Sequence, residues 1–370
     1  MRFALVGEHR DGVNLALALV ESGRHQVVRV SVALEASDRA RLNEPRLVSD
    51  LEEILADPEV EAVLVAEASA QREEQVRRAL QAERHVVCIH AGDAGPEGAY
   101  EASLIQGDTK RVLLPLLPWV HHPAVLRWKE RIDQVRAAST EPQWVLTVEL
   151  RTGETQPGID WWLLRQVGGE IQEVSAQGGE ESAAEPMLVA GRFVEGGWFQ
   201  VTVLPGFGEE RVRLRLGGLA HEAELFLPVG LEGPAYLTWR EAGRWKEEAW
   251  PAWDPWPTYV EQLERALAGE PAEPTWQDEV RARELGDATR RSRQRRQVQT
   301  LEYAVANEEV GFKGTMALTG CALLWVVLGL AVVSRWLPAA GWLIVPLLVS
   351  FIGLQVLRWV IPTRPETSEP

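Results

Sequence analysis

Two long uncharged apolar runs close this chain and limit what it can become more than anything before them. Residues 314–334, GTMALTGCALLWVVLGLAVVS, give 21 positions without a charge. As a helix this run would be about 30 Å long, enough to cross a hydrocarbon core. Residues 336–357, WLPAAGWLIVPLLVSFIGLQVL, add 22 more between Arg335 and Arg358. Pro338 and Gly341 suit a tight link, so a second crossing would start near Ala339. The sequence predicts a C-terminal transmembrane helical hairpin within 313–360, with helices at about 314–334 and 339–357. A helical hairpin buried in a soluble domain and a re-entrant hairpin are the alternatives.

Charge gives the orientation. Arg290, Arg291, Arg293, Arg295, Arg296 and Lys313 precede the first run, Arg358 and Arg364 follow the second, and the connection carries Arg335 alone. Positive charge stays on the cytoplasmic side, so the expected location is the cytoplasmic membrane, with the soluble domains and the tail facing the cytoplasm. The opening MRFALVGEHRDG breaks into glycine and charge too early for a signal peptide. Cys88 and Cys321 give no disulfide framework. A net charge of -16 argues against a nucleic-acid partner and leaves the lipid bilayer as the expected one. The arginine-rich stretch 281–296 reads as a segment drawn to anionic lipid or as a solvated linker helix, and 271–312 as a whole as a charged juxtamembrane linker.

The body ahead of it reads as two domains. Strand-like runs at 3–6, 27–34, 60–65 and 86–90 alternate with helical patterns at 13–20, 51–56 and 71–82. That rhythm predicts an α/β, Rossmann-like doubly wound parallel sheet over 1–118. Beyond residue 140 strand-like runs dominate, at 144–150, 200–204, 210–216, 222–226 and 236–240, with helices at 159–167 and 257–268. A second α+β domain with a mostly antiparallel sheet is expected over 119–270.

The turn after the first strand is Gly7-Glu8-His9-Arg10-Asp11-Gly12. A dinucleotide fingerprint has glycine at its first, third and sixth positions. Gly7 and Gly12 fill the first and sixth, while His9 takes the third, where a missing side chain lets the backbone approach a diphosphate. His9 and Arg10 are candidate diphosphate donors at the helix N-terminus; Asp11 would cap the helix and repel phosphate. Glu35, beyond the second strand, is the candidate for the ribose hydroxyls. A turn that keeps the fold and has lost the ligand is the other reading.

Residues 50–92, DLEEILADPEVEAVLVAEASAQREEQVRRALQAERHVVCIHAG, resemble the Gfo/Idh/MocA family of NAD(P)-dependent oxidoreductases, which act mainly on sugars and cyclitols. LLPWVHHPAVLRWKERI resembles the family's crossing between domains, and the likeness extends over about 1–268. It implies NAD or NADP as cofactor, a small sugar-like ligand and an oligomer; the hairpin lies outside the pattern. Where the family has Glu-Lys-Pro, this chain has Ile89-His90-Ala91, so the resemblance places His90 at the acid–base lysine. Ala68, Ser69 and Arg72 stand at the family's Pro-Asn and histidine positions, which makes Ser69 a cofactor contact. Of the second domain's His/Asp pair only Asp160 remains. These departures suggest impaired catalysis, with the body acting as a ligand sensor or as a scaffold for a membrane or cytoplasmic protein partner. The alternative is an active dehydrogenase or reductase of a sugar- or cyclitol-like hydroxy compound using His90 as acid and base. Asp93 is a further candidate acid. The adjacent His121 and His122 would point to opposite faces of a strand and share no metal, and no metal site is expected.

Overall fold

The strand at residues 2–6 explains the first layer. Its side chains alternate, and both sets are apolar: Phe3 and Leu5 face one way, Ala4 and Val6 the other, and all four are buried. Such a strand must be covered on both faces, which parallel sheets achieve through crossover helices. The computed structural model describes residues 1–67, 71–90, 95–138, 144–152, 159–178, 185–205, 211–218, 222–228, 233–241 and 243–301, all within the compact unit Met1–Tyr303.

The first sheet has six strands: β1 (Arg2–Val6), β2 (Gln26–Val30), β3 (Arg46–Leu47), β4 (Ala62–Val65), β5 (His85–Ile89) and β6 (Leu113–Leu116). They are all parallel and ordered β3-β2-β1-β4-β5-β6. The order reverses between β1 and β4, which opens a crevice at their carboxyl ends. The helices between these strands are α1 (Arg10–Glu21), α2 (Ala36–Arg41), α3 (Leu51–Ala56), α4 (Gln71–Gln81) and α5 (Glu97–Thr109). After β6 a short 3-10 turn leads into α6 (Pro123–Ala138).

The second sheet has nine strands. These are β7 (Trp144–Thr152), β8 (Ile171–Gly178), β9 (Met187–Phe193), β10 (Trp198–Pro205), β11 (Arg211–Gly218), β12 (Glu222–Pro228), β13 (Ala235–Glu241), β14 (Arg244–Trp250) and β15 (Gln299–Thr300). Their order is β14-β13-β12-β11-β7-β10-β9-β8-β15, antiparallel except for the β10–β7 pair. Along β12, Ala223, Leu225 and Leu227 are buried while the residues between them are partly exposed, the mark of a sheet with one covered face. That face packs on α6 and α7 (Trp161–Gly168).

Two late helices complete the body. In α8 (Trp256–Leu267), Tyr259, Val260 and Leu263 join the core formed by Phe3, Leu5, Leu15 and Leu19. The Tyr259 hydroxyl donates to the Pro115 carbonyl at 2.6 Å. Where the sequence suggested a charged linker over 271–312, of which 302–312 lie outside the described residues, the last helix, α9 (Trp276–Arg295), belongs to the body. Its first turn, closed by a Thr275–Asp278 capping box, puts Trp276 and Val280 against Val76, Leu80 and Val86 on the far side of the first sheet. Further along, Ala282, Leu285 and Ala288 enter the core of the second sheet. The arginines that suggested a lipid-facing stretch are largely paired within the body: Arg281 with Glu170 at 2.6 Å, Arg283 with Glu279 and Glu73, Arg290 and Arg291 with Asp287. β15 then adds to the edge of the second sheet beside β8.

The expected hairpin at 314–334 and 339–357 lies outside the described residues. Among those described, no helix is long and apolar enough to cross a membrane.

Candidate functional site

Gly7 leaves β1 with φ +89°, and a side chain there would run into the carbonyl of Ala66. Gly12 lies against the Ala66 methyl group, and a Cβ would collide with it. Both glycines are therefore required by the close passage of the β1–α1 turn over the end of β4. The third fingerprint position differs. The His9 N–H donates to the Ala66 carbonyl at 2.9 Å, and its imidazole Nδ1 accepts from the Asp11 N–H at 3.3 Å, so the side chain caps α1. Burial raises the Asp11 carboxyl above its ordinary value, with His9 pulling the other way. Arg10 reaches Asp38 at 2.8 Å. Glu35 is exposed at the N-terminus of α2 and makes no side-chain cap there. Ser69 and Asp93 lie outside the described residues.

A cleft of about 650 Å³ runs from this turn along the carboxyl ends of the strands, lined by Gly7, Glu8, Ser31, Asp50, Glu67 and Arg78 among others. The glycine turn allows a dinucleotide's close approach at the end of β1, while the cleft beyond it is lined by Glu8, Asp50, Glu52, Glu67 and Glu74 against Arg78. The imidazole of His9 and the carboxylates of Glu8 and Glu67 depart from the usual phosphate surroundings.

The second centre lies at the end of β5. Strand alternation puts Cys88 and His90 on the same face, the one covered by α4, α5 and α9. The His90 Nδ1 is 2.5 Å from Glu279 Oε2, and Glu279 is wholly buried. Its other oxygen accepts from Arg283 Nε at 2.7 Å, and Arg283 Nη1 donates to Glu73 at 2.7 Å. Burial opposes a charged imidazole, but the charge and hydrogen bond of Glu279, helped by Asp160, outweigh it and raise His90 above its ordinary value. Burial likewise opposes ionisation of Glu279, yet His90 and Arg283 hold it below the usual carboxylate range. The contact thus favours the imidazolium and carboxylate forms. With Nδ1 engaged, Nε2 is the ring nitrogen left to meet a ligand, and the His90 side chain keeps 19% of its surface exposed.

Asp160 caps α7, accepting from the Leu163 N–H at 2.8 Å. Burial raises its carboxyl, against the pull of His90. The structure therefore groups His90 and Asp160 in one electrostatic cluster and places Gly7, His9, Arg10 and Gly12 together at the turn. Glu279, Arg283 and Glu73 were not legible as site residues. The one sequence signal was the Glu279–Arg283 spacing of four on a helix whose Trp276, Val280 and Leu285 mark a buried face. The His121 Nε2 lies 3.1 Å from the Glu273 carbonyl. His122 is fully buried between Trp119 and Trp253, with burial pushing its pKa down to about 4. Among the described residues no cluster could hold a metal ion.

These features can be set beside known proteins. Residues 1–90 match the Gfo/Idh/MocA model, described as an oxidoreductase family with an NAD-binding Rossmann fold. No curated protein sequence matches the chain. Among solved structures, GenD2 of gentamicin A biosynthesis, in complex with NAD, is 23% identical, covers 82% of this chain and 97% of its own, and superposes with a TM-score of 0.66. Levoglucosan dehydrogenase with NADH and levoglucosan is 14% identical over 82% of this chain and all (100%) of its own, TM-score 0.68. The WlbA dehydrogenase of Bordetella pertussis with NADH and UDP-GlcNAcA is 18% identical over 82% and 99%, TM-score 0.65. The two-sheet fold is shared with all three.

Proposed function

We propose that the chain is an NAD(P)-linked oxidoreductase of a sugar- or cyclitol-like hydroxy compound, with His90 as its acid and base. The observation that carries this reading is the buried Glu279 carboxylate on His90 Nδ1. From the sequence alone, a histidine at the lysine position is open to two readings, impaired catalysis or a replacement acid–base group. With Glu279 behind it, the imidazole is oriented and its protonated form is favoured, which suits a proton donor to a carbonyl oxygen. The family match over residues 1–90 and the neighbours solved with NAD or NADH support the cofactor.

Gly7, Gly12 and the N-terminus of α1 would hold the dinucleotide, with His9 and Arg10 beside the diphosphate. The nicotinamide group, when bound, supplies or accepts the hydride. His90 gives its Nε2 proton to the carbonyl oxygen in reduction and takes the hydroxyl proton in oxidation. Glu279 holds the ring in one tautomer, and Asp160 adds negative charge that steadies the imidazolium. Calorimetric titration of the full chain with NADH and NADPH tests this. Micromolar binding of either supports it, and no binding of either at millimolar concentration overturns it.

A second reading has its own support. The His9 imidazole occupies the Asp11 N–H that a phosphate would use, and Arg10 is tied to Asp38. On this reading the body is a ligand sensor or a scaffold for a protein partner, without turnover. It predicts failure of the NADH titration while a sugar-like ligand still binds. Under either reading, the apolar runs at 314–334 and 339–357 anchor the body to the cytoplasmic membrane face. A reporter fused after Pro370 should then be cytoplasmic; an external reporter would refute the two-crossing topology.

A further inference from the structure

The last turn of α9 closes over part of an edge strand. β15 pairs with β8 only at Glu173 and Val174, so among the described residues the outer edge of Ser175–Gly178 has no strand beside it. Ser292 takes part of that place. Its hydroxyl accepts from the Ala176 N–H at 3.0 Å and donates to the Gln297 carbonyl at 2.7 Å, which fixes the end of the helix on the strand. Beside these bonds lies a cavity of about 420 Å³, lined by Ser175, Gln177, Gly178, Glu185, Arg293 and Arg296 among others. Its charged lining is two guanidinium groups and one carboxylate. Asp287 answers Arg290 and Arg291 a turn earlier, and among the described residues no carboxylate pairs with Arg295 or Arg296.

The helix dipole stabilises cations at a C-terminus whatever lies nearby, and that suffices for Arg295. It does not account for a cavity between Arg293, Arg296 and the strand. Such a recess fits a phosphate, to which a guanidinium donates two parallel hydrogen bonds, with the Ser175 hydroxyl and the Gln177 amide as further donors. We propose that this cavity binds the phosphate of an anionic lipid headgroup. This rests on the reading of residues 314–334 and 339–357 as a membrane anchor. Three observations favour a lipid over free phosphate. With Glu185 set against the two arginines, the lining carries one net positive charge, which matches a phosphodiester. Exposed apolar side chains flank it: Leu188, paired with Gln177 across the strands, and Val298, just past Arg296. And only residues 302–313 separate Leu301, the last described residue, from the first apolar run.

Calorimetric titration of the full chain in a neutral detergent tests the proposal, in wild type, Arg296→Gln, Gln177→Glu and Arg295→Gln. The probes are dihexanoyl-phosphatidylglycerol, dihexanoyl-phosphatidylcholine and inorganic phosphate. Phosphatidylglycerol should bind at least tenfold more tightly than either of the others. Arg296→Gln and Gln177→Glu, on different walls of the cavity, should each weaken it about fivefold or more. Arg295→Gln, which lies outside the lining, should weaken it less than about twofold. All three variants replace exposed side chains, so their unfolding temperatures should match wild type. Equal binding of the two lipids, phosphate binding as tight as phosphatidylglycerol, or no binding would overturn the proposal. So would an Arg295→Gln loss equal to that of Arg296→Gln, which would mean diffuse attraction to a basic helix end. Sedimentation of cell membranes in alkaline carbonate reads the anchor separately. A chain left in the supernatant sinks the anchor and the lipid assignment with it, whereas a chain that sediments without preferring phosphatidylglycerol sinks the headgroup site alone.

Discussion

His90 and Glu279 stand 189 residues apart in sequence and 2.5 Å apart in space. One closes β5 of the first sheet; the other lies one turn into α9, the helix that spans both cores. The setting of the His90 imidazole thus depends on a segment whose composition marks it as a linker.

Glu279→Gln removes the negative charge that raises His90. The His90 imidazole should titrate at lower pH than in wild type, followed by its ring C–H resonances in NMR. In wild type, activity that needs the imidazolium is present below the raised pKa and lost as pH climbs through it, so in the variant this alkaline limb moves to lower pH. An unmoved limb would remove Glu279 from the mechanism. His90→Ala should cost about 10²–10⁴-fold in turnover.

Trp276→Ala tests whether α9 belongs to the body. Trp276 is buried and its indole N–H donates to the Ala99 carbonyl at 2.9 Å. Truncation should cost about 3–5 kcal/mol in urea unfolding. A chain cut after residue 270 should lose its cooperative transition altogether; a truncated chain with wild-type stability would restore the linker reading.

Gly7→Ala should destabilise the first sheet by about 2 kcal/mol or more, since φ is +89° and the new methyl group meets the backbone of Ala66. Denaturant midpoints would measure it. The loss is expected with or without dinucleotide, because the glycine is needed for packing.

His122 gives the protein an acid limit. Its folded pKa is depressed to about 4 from an ordinary 6.5, because the ring is buried among tryptophans. The neutral ring is the folded form, so its contribution is complete above pH 6.5 and lost as pH falls from 6.5 to 4. That loss amounts to about 3 kcal/mol. His122→Phe should flatten stability between those pH values, read by unfolding at each pH.

The parallel sheet was legible because β1, β4 and β5 are uniformly apolar and regularly spaced, and the second sheet because β12 and β13 alternate. The glycine turn was legible too, since Gly7 and Gly12 act over a few residues. What escaped was long-range. No local pattern shows that Glu279 meets His90, or that Arg283 reaches Glu73 across 210 positions. The arginine run 290–296 masked α9 because its charges dominate composition, while the buried face rests on Trp276, Val280, Leu285 and Ala288, spread over more than three turns.

The position of α9 late in the chain sets an order of assembly. Translation at about 5–20 residues per second would leave His90 without its carboxylate for roughly 10–40 s after its own synthesis, given the 189-residue separation. During that interval the first sheet has its strands but lacks Trp276 and Val280 on one face, so its core is unfinished. The contact between His90 and Glu279 can form only when nearly all of the body has been made.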